Sequence, residues 1–248
     1  MTARFKDHFS GHAAEYSRYR PTYPRALFEA IATLAPGRER AWDCATGSGQ
    51  AAVALAEYFD QVVATDASAL QLESARERPG VIYLNESAER TTLDDDSCDL
   101  ISVAQALHWF DFDAFYREVR RVARPGAILA AWAYERMRVG AEIDELLDEL
   151  LDVTLGSFWP PERAYVDSAY ASLPFPFRRI SEPSLVMELE WSAEQTTRYL
   201  RTWSAARRFH AEHDFDPIDR IEGRLVELWG SGVRRVSWPL VLRFGRVD

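Results

Sequence analysis

Between residues 40 and 134 short apolar runs alternate with helical patterns, and this alternation narrows the possible folds more than any other feature of the chain. Five runs read as strands, at 40–45, 61–65, 81–84, 98–103 and 127–134. The fourth is almost wholly apolar, as expected of a parallel strand covered on both faces. Helical patterns near 51–56, 68–78 and 111–123 fill the gaps, with Ser68 as an N-cap and Arg124-Pro125-Gly126 as a stop. Further strand patterns at 185–191 and 233–244 bring the expected count to seven. The pattern predicts an α/β fold with a doubly wound, mostly parallel sheet and a ligand site outside the carboxyl ends of the strands. Gly47, Asp66, Glu89, Gln105 and Trp132 all fall at or near those ends.

Residues 42 to 50, WDCATGSGQ, carry the first strand into a glycine turn and the start of a helix. Gly47 and Gly49 permit torsions that a side chain disfavours and let a ligand lie against the main chain. Asp43 adds a carboxylate beneath the turn, and Asp66 ends the next strand. Gly47-Ser48-Gly49-Gln50-Ala51-Ala52 also matches the loose dinucleotide pattern G-x-G-x-x-A, so an NAD(P)-dependent oxidoreductase is one candidate. The context favours a mononucleoside ligand: a carboxylate precedes the glycines, Ser87-Ala88-Glu89 follows strand three, and Gln105, His108 and Trp109 follow strand four. Lys6 is the only lysine, and no convincing catalytic Tyr/Lys arrangement supports the oxidoreductase.

Flanking this core, residues 4–20 carry Phe5, Phe9, Tyr16 and Tyr19 in a helical pattern stopped by Pro21, and a second helix is expected near 24–35. Beyond Tyr134 the rhythm changes. Ile143, Leu146, Leu147, Leu150 and Leu151 make one apolar helical face opposite an acidic one. Proline-stiffened aromatic segments follow, FWPP at 158–161 and LPFPF at 173–177, and two more helices are expected near 192–209 and 217–229. One domain is expected over 1–248, with N-terminal helices at 1–36, a core at 37–135, a cap insertion at 136–182, and the remaining strands and cap helices at 183–248.

The net charge of −10 opposes broad binding to nucleic acid phosphates, and the longest apolar run, 127–133, is far short of the roughly 20 residues that cross a bilayer. Cys44 and Cys98 have no metal-like spacing. The expectations are a cytoplasmic protein without metal, membrane or nucleic acid, a monomer or weak homodimer. His210 and His213 share a helix face but have no third ligand in the pattern.

The chain resembles the class I S-adenosylmethionine-dependent methyltransferases, specifically the type 11 group that includes trans-aconitate methyltransferase-like proteins. The resemblance covers about residues 5 to 134 and is carried by Tyr16 with Arg20-Pro21-x-Tyr23-Pro24, by Asp43-x-Ala45-x-Gly47-x-Gly49-Gln50, by Asp66, by Ser87-Ala88-Glu89 and by Gln105-Ala106-x-His108-Trp109. Ala45 departs from it, because many members have a glycine there. The resemblance implies a Rossmann-like methyltransferase fold with S-adenosyl-L-methionine as cofactor. It further implies that Asp66 accepts the ribose hydroxyls and that the backbone of Ala45, Thr46, Gly47 and Gly49 passes under the ribose and methionine. Ala67 and Leu70 would line the adenine pocket, Ala88 and Glu89 would read the adenine edge, and Gln105 would hold the methionine end. Tyr16 and Arg20 would close over the cofactor as a lid, and Asp43 would act through the loop.

Methyl transfer from a sulfonium is an in-line displacement, so the protein aligns the reactants and excludes water. A carboxylate acceptor needs no general base, whereas a hydroxyl or carbon acceptor usually does. His108 is the best-placed candidate, either as base or as a ring that orders its loop. For a small-molecule acceptor, with a carboxylate among the candidates, the expected contacts are Trp109, Trp132, Tyr134, Phe158, Trp159 and Trp203, with Arg201, Arg207 and Arg208 as possible anion partners. The alternative classes are the NAD(P)-dependent oxidoreductase and a protein that binds S-adenosylmethionine without catalysis.

Overall fold

The computed structural model describes residues 19–248. Tyr16, Lys6 and most of the first expected helix therefore lie outside the described residues. Helix α1 (Arg25–Leu34) leads into β1 (Arg40–Cys44), α2 (Gln50–Leu55), β2 (Gln61–Thr65), α3 (Ala69–Glu73), β3 (Val81–Leu84) and β4 (Cys98–Ala104). A single 3-10 turn (Leu107–Trp109) precedes α4 (Phe112–Val122) and β5 (Ala123–Tyr134). The cap begins with α5 (Ala141–Glu149), which passes into a π turn (Leu150–Thr154), and with α6 (Arg163–Asp167). After β6 (Arg178–Arg179) and β7 (Val186–Trp191) come α7 (Ala193–Arg201), α8 (Ser204–His213), α9 (Asp219–Trp229) and β8 (Arg234–Arg246).

The sheet runs β3-β2-β1-β4-β5-β8-β6. The first five strands are parallel and β8 is antiparallel to β5, which gives the doubly wound, mostly parallel arrangement. Side chains alternate between its two faces. Leu100, Ile128, Ala130 and Trp132 join Leu27, Phe28, Ile31 and Leu55 under α1 and α2. Ile101, Val103, Leu129 and Ala131 join Phe115 and Val119 under α4. This period of two in buried apolar strands is what a sheet covered on both sides requires.

Among the described residues there are eight strands rather than the expected seven, because a two-residue edge strand, β6, also pairs with β8. Strand β8 serves two layers. Residues 240–246 pair with β5, whereas residues 234–239 pair with β7 and leave the main sheet. The change occurs at Pro239, which has no N–H for a ladder. Its carbonyl instead accepts from Glu135 N at 2.9 Å. The cap packs on this extension around its own core, in which Leu147, Leu150, Trp191, Leu200, Trp203, Leu225 and Trp238 are buried together.

Two helices are shorter than their sequence patterns. The helix expected over 68–78 ends at Glu73, because Ser74 Oγ donates to the Gln71 carbonyl and Arg76 N bonds back to Ser48 O in the glycine loop. The helix expected over 192–209 divides after Arg201, where Thr202 Oγ1 takes the Tyr199 carbonyl and Trp203 is extended.

Candidate active site

The glycine loop is tied down from below. Asp43 is fully buried, with Oδ1 accepting from Ser102 Oγ at 2.7 Å and Oδ2 accepting from Thr46 Oγ1 at 2.5 Å. Burial raises its pKa to about 6 against these hydrogen bonds. Asp43 therefore faces into the protein and braces the loop through Thr46. Above it the backbone turns left-handed three times, at Ala45 (φ 53°), Gly47 (φ 57°) and Gly49 (φ 78°). Gly49 has a second constraint, since a Cβ there would lie 2.2 Å from Tyr83 Oη. At Gly47 the space is open, and an added Cβ would meet nothing closer than Gln71 Oε1 at 3.8 Å.

Asp66, at the end of β2, links this loop to the next. Its Oδ2 accepts from Gly47 N at 2.9 Å and its Oδ1 from Ser68 N at 2.8 Å. A carboxylate oxygen can accept more than one hydrogen bond, so these contacts to the loop are compatible with hydroxyl donors from a ligand. Leu70 is 52% exposed beside it, an unusual state for a leucine and one that suits the wall of a ligand cleft. Ala88 is buried, and Glu89 Oε1 accepts from Asp111 N at 3.4 Å. Gln105 has positive φ (60°) and donates its backbone N–H to Trp132 O at 2.8 Å. Its side-chain Nε2 is buried and has no partner among the described residues. An orphaned buried amide at the carboxyl end of β4 suits a ligand bearing a carboxylate or another acceptor group. The residues present thus fit an S-adenosylmethionine-type cofactor at the strand ends.

Gln105 is also on the wall of a cavity of about 350 Å³ between the sheet end and the cap. Its wall includes Arg20, His108, Trp109, Tyr134, Trp159 and Trp203, so the structure brings these expected residues together. Arg20 Nη1 donates to the Tyr134 hydroxyl, and its guanidinium lies 5.3 Å from the centre of the Tyr199 ring. Gln50 Nε2 donates to Pro21 O at 2.9 Å, which holds the segment carrying Arg20 against the glycine loop.

Three expectations for the acceptor side are corrected. Trp132 is fully buried in the core beneath α1, with the Phe28 and Tyr23 rings packed edge-on at 6.1 and 5.5 Å, two residues back along β5 from Tyr134, and it does not line the cavity. Phe158 packs against Phe209 and His213 in the cap. Arg201 is clamped by Asp216, Asp219 and Glu222 at 2.7 to 3.0 Å, while Arg207 and Arg208 on α8 do not line the cavity.

Besides Arg20, the cations on the cavity wall are ones that sequence patterns did not single out: Arg136, Arg138 and Arg163. Arg136 is paired with Asp148 and Asp152, and Arg138 with Asp148. Arg163 lies 3.9 Å from the Trp159 ring centre, and its one ionic partner among the described residues is Asp167, at 3.3 Å. Burial, together with the nearby Arg136 charge, lowers its pKa from the ordinary arginine value even against Asp167. Trp159 is fixed in turn, its Nε1–H donating to Leu151 O at 3.0 Å, a carbonyl of the π turn. A sequence signal existed only in part, as three arginines close behind aromatic or strand residues.

His108 is buried, with Nδ1 3.1 Å from the Tyr170 hydroxyl and its ring against Trp109 at 4.7 Å. Burial lowers its pKa to about 4, so the ring is neutral near pH 7. Among the described residues no group of three His, Cys, Asp or Glu side chains could hold a metal ion, and no helix is long and apolar enough to cross a membrane.

Comparison with known proteins agrees with this geometry. Residues 42–131 match the family model described as a methyltransferase domain. A protein of Dictyostelium discoideum assigned as a methyltransferase is 31% identical over 230 residues, covering 91% of this chain and 88% of its own. An uncharacterised methyltransferase of Mycobacterium tuberculosis is 32% identical over 206 residues, covering 81% and 76%. A solved structure assigned as a type II methyltransferase from Anaeromyxobacter dehalogenans superposes with a TM-score of 0.86 at 44% identity, covering 92% of this chain and 98% of that one. With a doubly wound sheet, a glycine loop braced by Asp43 and relatives that span nearly the whole chain, the protein belongs to the class I S-adenosylmethionine-dependent methyltransferases.

Proposed function

We propose that the protein transfers the methyl group of S-adenosylmethionine to a small, negatively charged acceptor, with carboxylates as the favoured class. The observation that carries this reading is the 350 Å³ cavity that meets the cofactor side at Gln105 and Arg20 and has Arg136, Arg138 and Arg163 on its wall. That volume lies near the lower end of small-molecule sites, about 300 to 1,000 Å³, so it suits a metabolite rather than a polymer segment. Acids of the kind methylated by trans-aconitate methyltransferase-like proteins are one instance of the class.

The cofactor supplies an electrophilic methyl on a positively charged sulfur. On its side, Asp66 would accept from the ribose, Ala67 and Leu70 would flank the adenine, Ala88 and Glu89 would read its edge, and the unpaired Gln105 amide would hold the methionine end. On the acceptor side, Trp109, Tyr134, Trp159 and Trp203 would enclose the substrate and keep water from the methyl. Calorimetry with S-adenosylhomocysteine, followed by transfer of labelled methyl into a metabolite pool, tests the proposal. Binding of S-adenosylhomocysteine and label in small acids are expected; tight NAD(P) binding with none by S-adenosylhomocysteine would sink it.

A further inference from the structure

The environment of His108 bears on which atom is methylated, given the methyltransferase reading above. The Tyr170 hydroxyl is part of a side chain only 1% exposed, and its one hydrogen-bond partner among the described residues is His108 Nδ1. Two arrangements share that 3.1 Å contact. If Nδ1 carried the proton and donated to the phenol oxygen, the buried phenol O–H would have no acceptor. If the phenol donates to Nδ1, that proton is satisfied and the neutral ring carries its own proton on Nε2. Stranding a buried donor is unfavourable, so the second arrangement is preferred. Burial raises the Tyr170 pKa and lowers that of His108 to about 4, which keeps both groups neutral as this arrangement needs. The charged neighbours acting on His108 are Glu162 and Arg163, of opposite sign.

His108 on this account has no lone pair left for a substrate proton. The cavity wall offers donors instead: His108, the Arg163 guanidinium with its one 3.3 Å ionic contact, and Arg20. Its two carboxylates do not replace the missing base. Asp167 is paired with Arg163, and both Asp167 and Glu135 are exposed and hydrated.

We propose that His108 presents an Nε2–H, fixed by the Tyr170 hydroxyl, to an acceptor that is already an anion, so that a carboxylate oxygen of the acceptor takes the methyl group and no protein base takes part. A carboxylate oxygen lone pair forms the new C–O bond, the C–S bond breaks with its electron pair returning to sulfur, and no proton moves. The sulfonium and the carboxylate lose their charges together. Tyr170 is a positioning residue, and Arg163 against Trp159 holds the acceptor's negative charge.

The test begins with wild-type protein, labelled S-adenosylmethionine and a metabolite pool, with the products then treated with mild base. Carboxyl methyl esters release the label as volatile methanol, whereas ethers, N-methyl and C-methyl groups retain it. Base-labile label is expected. Base-stable label would overturn this inference while leaving the methyltransferase reading intact, and an absence of any transfer would overturn both.

With the acceptor so identified, His108→Gln, which keeps an amide N–H near Nε2, should retain kcat/KM within about threefold, whereas His108→Ala should lose about tenfold to a hundredfold. Tyr170→Phe should lower kcat/KM in the wild-type background but not in His108→Gln, where no tautomer needs fixing. Equal losses for the Gln and Ala variants, both unfolding as cooperatively as wild type, would overturn the donor role.

Discussion

Ala45 holds a backbone conformation, φ 53°, that a Cβ opposes. A non-glycine residue in this region costs about 1 to 2 kcal/mol, and glycine would return about 0.5 to 1 kcal/mol of that through the greater freedom of its unfolded chain. Ala45→Gly is therefore expected to stabilise the protein by about 0.5 to 1 kcal/mol, read as a higher urea midpoint at unchanged slope; a lower midpoint would contradict the strain. Asp43, beneath the same loop, makes a prediction in pH. Its folded pKa is about 6, above the ordinary carboxylate value of about 3.9. Between those values the folded protein keeps a proton that the unfolded chain has released, so stability falls as pH rises through the window, by about 3 kcal/mol in all. The stability of wild type minus that of Asp43→Asn should decline by that order from pH 4 to 7, and a difference flat with pH would refute the assignment. The type of each such residue was legible in the sequence; its direction was not. Trp132 fell near a strand end like Gln105, but it lies two residues back from Tyr134 on the same face of β5, where the Phe28 and Tyr23 rings cover it and, of the two, only Tyr134 reaches the cavity.

Among the elements, the parallel strands were legible because strands buried on both faces are apolar runs, and α1 and α4 stop just before Pro36-Gly37 and Pro125-Gly126, whereas the early end of α3 at Ser74 was not legible. The cap was less so, since its joints are side-chain events. Thr202 ends α7 through its hydroxyl, the π turn frees Leu151 O for the Trp159 indole, and Arg201 finds its three carboxylates only on the α8–α9 connection and the first turn of α9. A helical wheel shows Arg201 as a surface cation free for an anionic ligand, but in the fold it is a clamp. Arg201→Gln should lower stability by roughly 1 to 2 kcal/mol at low salt, more than a lone surface pair because three carboxylates lose their cation together. The loss should shrink in about 1 M salt, where screening acts over only about 3 Å. Thermal melts at the two salt concentrations check this, and a large change in the KM of the acidic acceptor with unchanged stability would restore Arg201 to substrate binding.

At the scale of the molecule, one long strand couples the two halves of the site. β8 is part of the main sheet beyond Pro239 and part of the cap before it, and Pro239 itself lies on the cavity wall. The sheet ends supply the cofactor side and the cap supplies most of the acceptor side, with Gln105 and Arg20 at the junction. Occupancy of the two sides should then be separable by a change confined to the cap. Val166, on α6, is half-buried and lines the cavity at a distance in sequence from every residue of the glycine loop. In Val166→Trp an indole takes space that the acceptor needs. Its kcat/KM for the acceptor should fall by at least about tenfold, whereas its affinity for S-adenosylhomocysteine by calorimetry should stay within about twofold, since one overfilled contact costs about 1 to 3 kcal/mol where it occurs. Parallel loss of both would mean that cap and sheet bind as one unit, with the cofactor lying partly inside the cavity assigned to the acceptor.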